Sequence, residues 1–400
     1  MLALEGITIL DLSGGYPPAM GTQILGDHGA NVINVEGRPA LPGLRPEIGS
    51  KESAKAAAYD ASNRNKKSII LNLKTDEARQ IFYKLAEEAD VVVEPFRPGV
   101  TKRLGVDYQT ISKVNPKIIY CSVTGYGQDG PYAHLAGHDP NYLSIAGVLD
   151  LIGEPDGPPV PPFNLLADVA GAGVHTALSI LLALMARTKT GKGQYIDLSF
   201  TDCVVSFLTM TGSTYFRTDA VPKRGSVLGP PHPGGGIYAT KDNKYVTIAC
   251  PEPWLWENFC RAIGREDFIP YNRMRGRLAD PKDQDKFKEI QDYFQQLFLT
   301  RTRDEWFDFL SSKDVPFGKV LSMDEAFKDP HVLHRKMVIE VDSPTEGKVK
   351  QVGIPVKLSD TPGEVRSTAP LFGQHTDEIL KGLGYSAQEI KELRSKGVVS

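Results

Sequence analysis

Cysteine is scarce in this chain of 400 residues. Cys121, Cys203, Cys250 and Cys260 stand far apart, without the paired spacing that zinc or dithiol motifs require, and read as core thiols. No G-x-S-x-G elbow and no H-E-x-x-H pair occurs, which weakens serine hydrolase and zinc protease readings. The segment TKTGKGQ lacks the upstream glycine and the following Ser or Thr of a phosphate loop. Charge of one sign is also missing: 46 basic residues face 49 acidic ones for a net charge of −3, with no long run of either sign. The basic excess of a nucleic-acid binder is therefore absent, and an anionic ligand must be met by a few placed Arg or Lys side chains. The N-terminus, MLALEGITIL, has no basic start or long apolar core of a secretory signal. The longest apolar stretch, Ala177 to Ala186, is too short to cross a bilayer. These absences lead us to expect a cytoplasmic protein with neither a nucleic-acid nor a membrane partner.

What is present is an ordinary globular composition, 41% hydrophobic and 24% charged, in a chain longer than one core usually serves. ITILDLS, NVINVE, SIILNLK, DVVVEPF, KIIYCSVT and QYIDLSF read as strands, with amphipathic helical segments such as TDEARQIFYKLAEEA between them. This alternation predicts an α/β fold with a doubly wound parallel sheet. NLLADVAGAGVHTALSILLALMAR, from Asn164 to Arg187, predicts one long buried helix ended by Gly191 and Gly193. Val221 to Gly236 is rich in proline and glycine, as a linker is. GIYATKDNKYVTIAC then reads as a hairpin around Asp242 and Asn243, opening a smaller α+β domain. The expected organisation is residues 1–220 for the first part of a large domain, 221–325 for the small one, and 326–400 as the return to the large one.

Gly125, Gly127 and Gly130 satisfy the G-x-G-x-x-G spacing after a predicted strand, but Pro131 follows at once and no helix start is there to receive a pyrophosphate. A glycine-rich turn is the better reading. In AGHDPNYLSIAG, Asp139 and Pro140 look like an N-cap and first helical residue, which puts His138 just before a helix N-terminus. Amides there can stabilise an oxyanion, and the dipole favours a neutral imidazole. A histidine that merely caps a loop fits the residues as well. Asp168 interrupts an apolar helix near its start, either as a first-turn carboxylate complementing the dipole or as a base or nucleophile facing a cleft. Trp254, Trp256 and Phe259 read as core residues, with a pocket lining as the alternative.

GHDPNY, NLLADVAG and RTKTGKGQ together resemble the family III CoA transferase superfamily, and within it the α-methylacyl-CoA racemase branch. LEGITILDLS, GDHGANVINVE, VVVEPFRPGV, NPKIIYCSVTGYGQDGP and LFGQHTDEILKGLGYS extend the resemblance over nearly the whole chain. The resemblance implies a large doubly wound domain built from both chain ends, a smaller domain, and an interlocked homodimer. It also implies a racemase acting on 2-methylacyl-CoA thioesters in fatty acid metabolism, by 1,1-proton transfer through an enolate, with no cofactor beyond the CoA of the substrate and no metal. His138 and Asp168 would exchange the proton on opposite faces, and Glu252 of CPEPWLW would orient the imidazole. The alternative is transfer of CoA between carboxylic acids through an acyl anhydride on Asp168; His138 in the GHD motif favours the racemase branch. For CoA itself the resemblance points to Arg38, to Leu71, Asn72, Leu73 and Lys74, to Arg97, and to Gly137, Asp139, Asn141 and Tyr142. Two departures from the family pattern stand out: Gly37 before the Arg38-Pro39 pair, and Pro140 in place of an apolar residue.

Overall fold

The computed structural model describes residues 1–14, 16–37, 61–224, 234–272, 281–343 and 347–400, without the side chains of 281–284. Arg38 and most of the expected linker at Val221–Gly236 lie outside the described residues. The chain divides into two compact units, one of Met1–Asp150, Val160–Arg217 and His331–Ser400, the other of Leu151–Pro159 and Thr218–Pro330.

The first unit is built on six strands, β1 (Thr8–Asp11), β2 (Asn31–Glu36), β3 (Lys66–Ile70), β4 (Val91–Glu94), β5 (Ile119–Thr124) and β6 (Gln194–Ser199). Their order is β3-β2-β1-β4-β5-β6, and every pairing is parallel. The near-continuous apolar character of these strands follows from burial on both faces: every residue of β4 and β5 is buried. The order reverses between β1 and β4, the switch point where open α/β sheets form a crevice at their carboxyl ends.

Helices α1 (Pro18–Asp27), α2 (Asp76–Glu88), α3 (Val100–Leu104) and α4 (Tyr108–Val114) connect the strands. Helix α2 shows how sequence and packing agree: the Thr75 side chain caps it by accepting from the Ala78 amide, and its apolar stripe of Ala78, Ile81, Phe82 and Leu85 enters the core. The same core takes in Leu380, Ile390, Leu393, Val398 and Val399 from the end of the chain, carried by α12 (Thr376–Gly382), α13 (Ala387–Ser395) and the residues after it. Polar ties accompany this closure. Arg64 pairs with Asp27 at 2.7 Å and donates to the Val352 carbonyl at 2.6 Å, and Asn65 accepts from the Ser367 amide. On β1 and β3, Asp11 and Lys66 form a fully buried pair at 3.0 Å, and Thr22, Ala19 and Asn63 give the ammonium further acceptors.

The segment expected to be one α-helix begins differently. Leu165–Val174 is a π-helix, which continues as the α-helix α6 (His175–Thr190) and stops at Gly191 in the left-handed conformation. Small residues permit the wider turns. A Cβ on Gly171 would stand 3.1 Å from the Leu166 carbonyl, and one on Gly173 3.2 Å from Met20 of α1. The imidazole Nδ1 of His175 lies 2.9 Å from both the Ala170 and Gly171 carbonyls at the change of pitch. Together, Leu165–Thr190 is long and apolar enough to cross a bilayer by length and composition alone, longer than the Ala177–Ala186 run that the sequence singles out. In this structure it packs on α1, β5 and β6. Helices α7 (Phe200–Ser206) and α8 (Thr209–Thr218) follow β6.

In the second unit, β7 (Gly235–Ala239), β8 (Tyr245–Ala249) and β9 (Phe317–Lys319) form an antiparallel sheet, with Asn243 in the left-handed region at the hairpin turn. Its core is aromatic: Trp256 and Phe259 of α9 (Pro253–Ala262), Phe294 and Phe298 of α10 (Pro281–Phe298), and Trp306 of α11 (Arg303–Ser311) are fully buried or nearly so. Trp254 departs from the core expectation, because it lies on the outer side of α9 at 61% exposure. All four cysteines are buried free thiols.

Candidate active site

The site assembles in the first unit, where the loops leaving β1, β4 and β5 meet two helix starts. Helix α5 spans Asp139–Ile145, with His138 rather than Asp139 as its N-cap, one residue earlier than its sequence suggests. Pro140, at the second helical position, has no amide to leave unpaired, and the Asn141 side chain closes the cap by accepting from the His138 amide at 3.0 Å. The His138 ring is left exposed at the helix start.

Asp139 turns the other way. Its side chain is buried, and its Oδ2 accepts from the amides of Ala167 and Asp168 at 2.9 and 3.0 Å. One carboxylate thus ties the start of α5 to the start of the π-helix and brings His138 and Asp168 into one neighbourhood. The Asp168 carboxyl is pushed up to about 6, first by burial and then by the nearby Asp139, while Asn164 donating to it and the neighbouring His138 pull it down. Tyr16, at the end of the loop after β1, faces the same two carboxylates, and its hydroxyl is pushed up by burial and then by Asp168 and Asp139.

Tyr142 forms the floor. It packs edge-on against Tyr126 and lies against Phe200, and its hydroxyl donates to the Gly137 carbonyl. A Cβ on Gly125 would stand 2.4 Å from this ring and one on Gly137 2.6 Å, so both glycines are required by the close approach of Tyr142. That is the physical use of the first glycine of the dinucleotide-like spacing; no helix starts at Gly125, Gly127 or Gly130. Burial and then Tyr126 and Asp168 push the Tyr142 hydroxyl up to about 12, against a lowering pull from Arg97.

Arg97 is exposed on the loop after β4. Glu94 holds that loop, with its Oε2 accepting from the Phe96 amide at 2.7 Å and its other oxygen accepting from the Ser122 hydroxyl. Burial pushes Glu94 up to about 7.

The remaining expected contacts are distributed otherwise. Leu71 and Leu73 pack in the first core, and Asn72 bonds to the chain end through Val398 and Gly397. Only Lys74 of this segment presents an exposed side chain. Asp139 and Asn141 spend their side chains on internal hydrogen bonds. Glu252 belongs to the second unit, where it stands at the N-cap of α9 and its charge helps to raise the Cys250 thiol. The sequence reading missed Tyr16; its place at the carboxyl end of the first strand of a doubly wound sheet was the available signal. Among the described residues no three His, Cys, Asp or Glu side chains converge as a metal site.

A carboxyl half-protonated near pH 6, with an imidazole beside it, can both take and give a proton near neutrality. Comparison with known proteins gives this chemistry a context. Residues 4–376 match the description CoA-transferase family III. An acyl-CoA transferase of Fusarium pseudograminearum is 34% identical, over 99% of this chain and 88% of its own. The alpha-methylacyl-CoA racemase of Homo sapiens is 32% identical, over 100% of this chain and 98% of its own. Among solved structures, a CAIB/BAIF family protein from Brucella suis superposes with a TM-score of 0.79 at 29% identity, covering 96% of this chain and 99% of that one.

Proposed function

This chain belongs to CoA-transferase family III, and from that premise we propose that it binds acyl-CoA thioesters and inverts the carbon next to the carbonyl, as a racemase or epimerase of 2-methylacyl-CoA esters. The observation that carries the reading is the joining of two helix starts by Asp139, with His138 on one and Asp168, raised to about 6, on the other.

The thioester carbonyl acidifies the α-hydrogen. One of the two groups removes it as a proton, the electron pair moves into the enolate, and the other group returns a proton to the opposite face. For the other enantiomer the two exchange roles. Arg97 and Lys74 are the exposed cations assigned to the CoA phosphates, since a guanidinium donates several hydrogen bonds in a fixed fork. A homodimer is part of the same reading: Leu178, Leu182 and Met185 of α6 and Met210 and Phe216 of α8 are exposed apolar side chains that a second chain would cover. Light scattering on the purified protein tests it, and a monomer at micromolar concentration would end it.

The second reading is CoA transfer, favoured by the name of the Fusarium relative. Asp168 would attack the thioester carbonyl, expel the CoA thiolate and form a mixed anhydride that a second carboxylate must resolve. The two readings part in deuterated water. Incubation with each enantiomer of a 2-methylacyl-CoA, without an acceptor acid, is expected to give α-deuterium incorporation, and His138→Ala to abolish it from at least one enantiomer while CoA binding persists. Exchange unchanged in His138→Ala would remove His138 from the mechanism. Exchange absent from the wild type, with an anhydride trapped by hydroxylamine, would decide for transfer.

A further inference from the structure

Asp139 follows His138 in the chain, yet it is the more buried of the two and has no route to solvent for its charge, being 3% exposed. Its Oδ2 accepts two amides that lie 28 and 29 residues further on, and its Oδ1 is buried with no hydrogen-bond partner among the described residues. A carboxylate that only had to tie two helix starts together would do so as well with the neutral amide of Asn. A buried charge with one oxygen unsatisfied is costly, and its field is little screened.

We propose that Asp139 is a positioning residue: it anchors the first turn of the π-helix through the Ala167 and Asp168 amides and stands as a negative charge beside the Asp168 side chain. The inference rests on the reading of Asp168 as a proton-transfer group. Asp168 is faced by Tyr16 from the loop after β1, by His138, Asp139 and Tyr142 from α5, and by Asn164 from the residue before the π-helix, with Arg97 beyond Tyr142. After burial itself, Asp139 is the largest influence holding the proton on Asp168. Two neighbouring carboxyl groups resist ionising together, so one keeps its proton to higher pH than it would alone. Asp168 is then able to act as an acid for one enantiomer as well as a base for the other. Asp139 touches no reacting atom in this scheme and acts through Asp168.

The test is Asp139→Asn, in which the amide oxygen can still accept from the two N–H groups and the charge is gone. In wild type the pH profile of exchange is expected to show an ionisation at about 6. In Asp139→Asn that ionisation moves down towards 3.8. Above it, each unit of displacement lowers the protonated fraction about tenfold, so exchange from the enantiomer that needs Asp168 as acid falls by that factor and the opposite direction falls less. Asp139→Ala, lacking the acceptor as well, is expected to raise hydrogen–deuterium exchange in residues 165–174 several-fold, and Asp139→Asn to leave it near wild type. A folded Asp139→Asn with a lower rate but an unmoved ionisation would overturn the tuning role and leave a purely structural carboxylate. Difference infrared titration, with the Asp168 band identified by its loss in Asp168→Asn, reads the same shift without turnover. If the wild type shows no α-proton exchange, the racemase reading fails, and that titration alone decides the inference about Asp139. Should Asp139→Asn fail to fold, Asp139→Ser removes the charge while keeping an acceptor, and an unmoved Asp168 band in it overturns the inference equally.

Discussion

Replacing Asp168 by Asn is expected to make the protein more stable and inactive at once. The magnitude follows from the carboxyl, which titrates at about 6 in the folded chain against an ordinary 3.8. A displacement of roughly two units corresponds to about 3 kcal/mol between the two protonation states. Asp168 is half-buried, so solvent screening reduces this to about 1–2 kcal/mol, and loss of the favourable first-turn charge returns about 0.3–1 kcal/mol. The net expectation is a gain of about 1 kcal/mol. The sign depends on pH in a defined way. The folded state binds this proton more tightly than the unfolded state, so the contribution of the protonated acid is complete below 3.8 and is lost as pH rises through about 6. Asn does not titrate. The advantage of Asp168→Asn should therefore be nil at pH 3.5, grow between pH 4 and 6, and stay constant above. Thermal or urea unfolding of both proteins at pH 4, 6 and 8, alongside the exchange assay, measures it. A variant less stable than wild type at pH 8 would refute the reasoning and return Asp168 to the role of a carboxylate that complements a helix start.

Two further outcomes follow from the same geometry. Arg97→Ala should raise the KM for acyl-CoA more than it lowers kcat, as loss of a remote and uniform contact does; an altered kcat at unchanged KM would make Arg97 structural or catalytic. Gly137→Ala would drive a methyl group to 2.6 Å from the Tyr142 ring. We expect about 1–3 kcal/mol of destabilisation from this overpacking, read by urea unfolding; wild-type stability in Gly137→Ala would contradict the packing described.

The parallel sheet was legible because strands buried on both faces must be written as short apolar runs, and VVVE and IYCSVT are such runs between turn residues. The pitch of the helix carrying Asp168 was not, since the apolar pattern of LLADVAGAGV suits α and π turns alike and only packing against α1 and α7 distinguishes them. The position of His138 at a helix start was readable from Asp139 and Pro140, to within one residue. The direction of the Asp139 side chain was not, because its partners are 28 and 29 residues away and no local rule connects them. Trp254 and Trp256 look alike in the sequence, yet one is exposed and the other fully buried; two residues on a helix turn by about 200°.

The closing of the first core by the last residues of the chain has a consequence for synthesis. Asn65 meets its partner Ser367 across 302 residues, and α2 packs on side chains up to Val399. On the ribosome the second unit, drawn mainly from the continuous stretch Thr218–Pro330, is complete while the first still lacks its final helices. Until the residues from Leu380 to Val399 have emerged, the apolar side chains of α2 lack part of their cover, the kind of exposed surface that makes a partly made chain prone to aggregate.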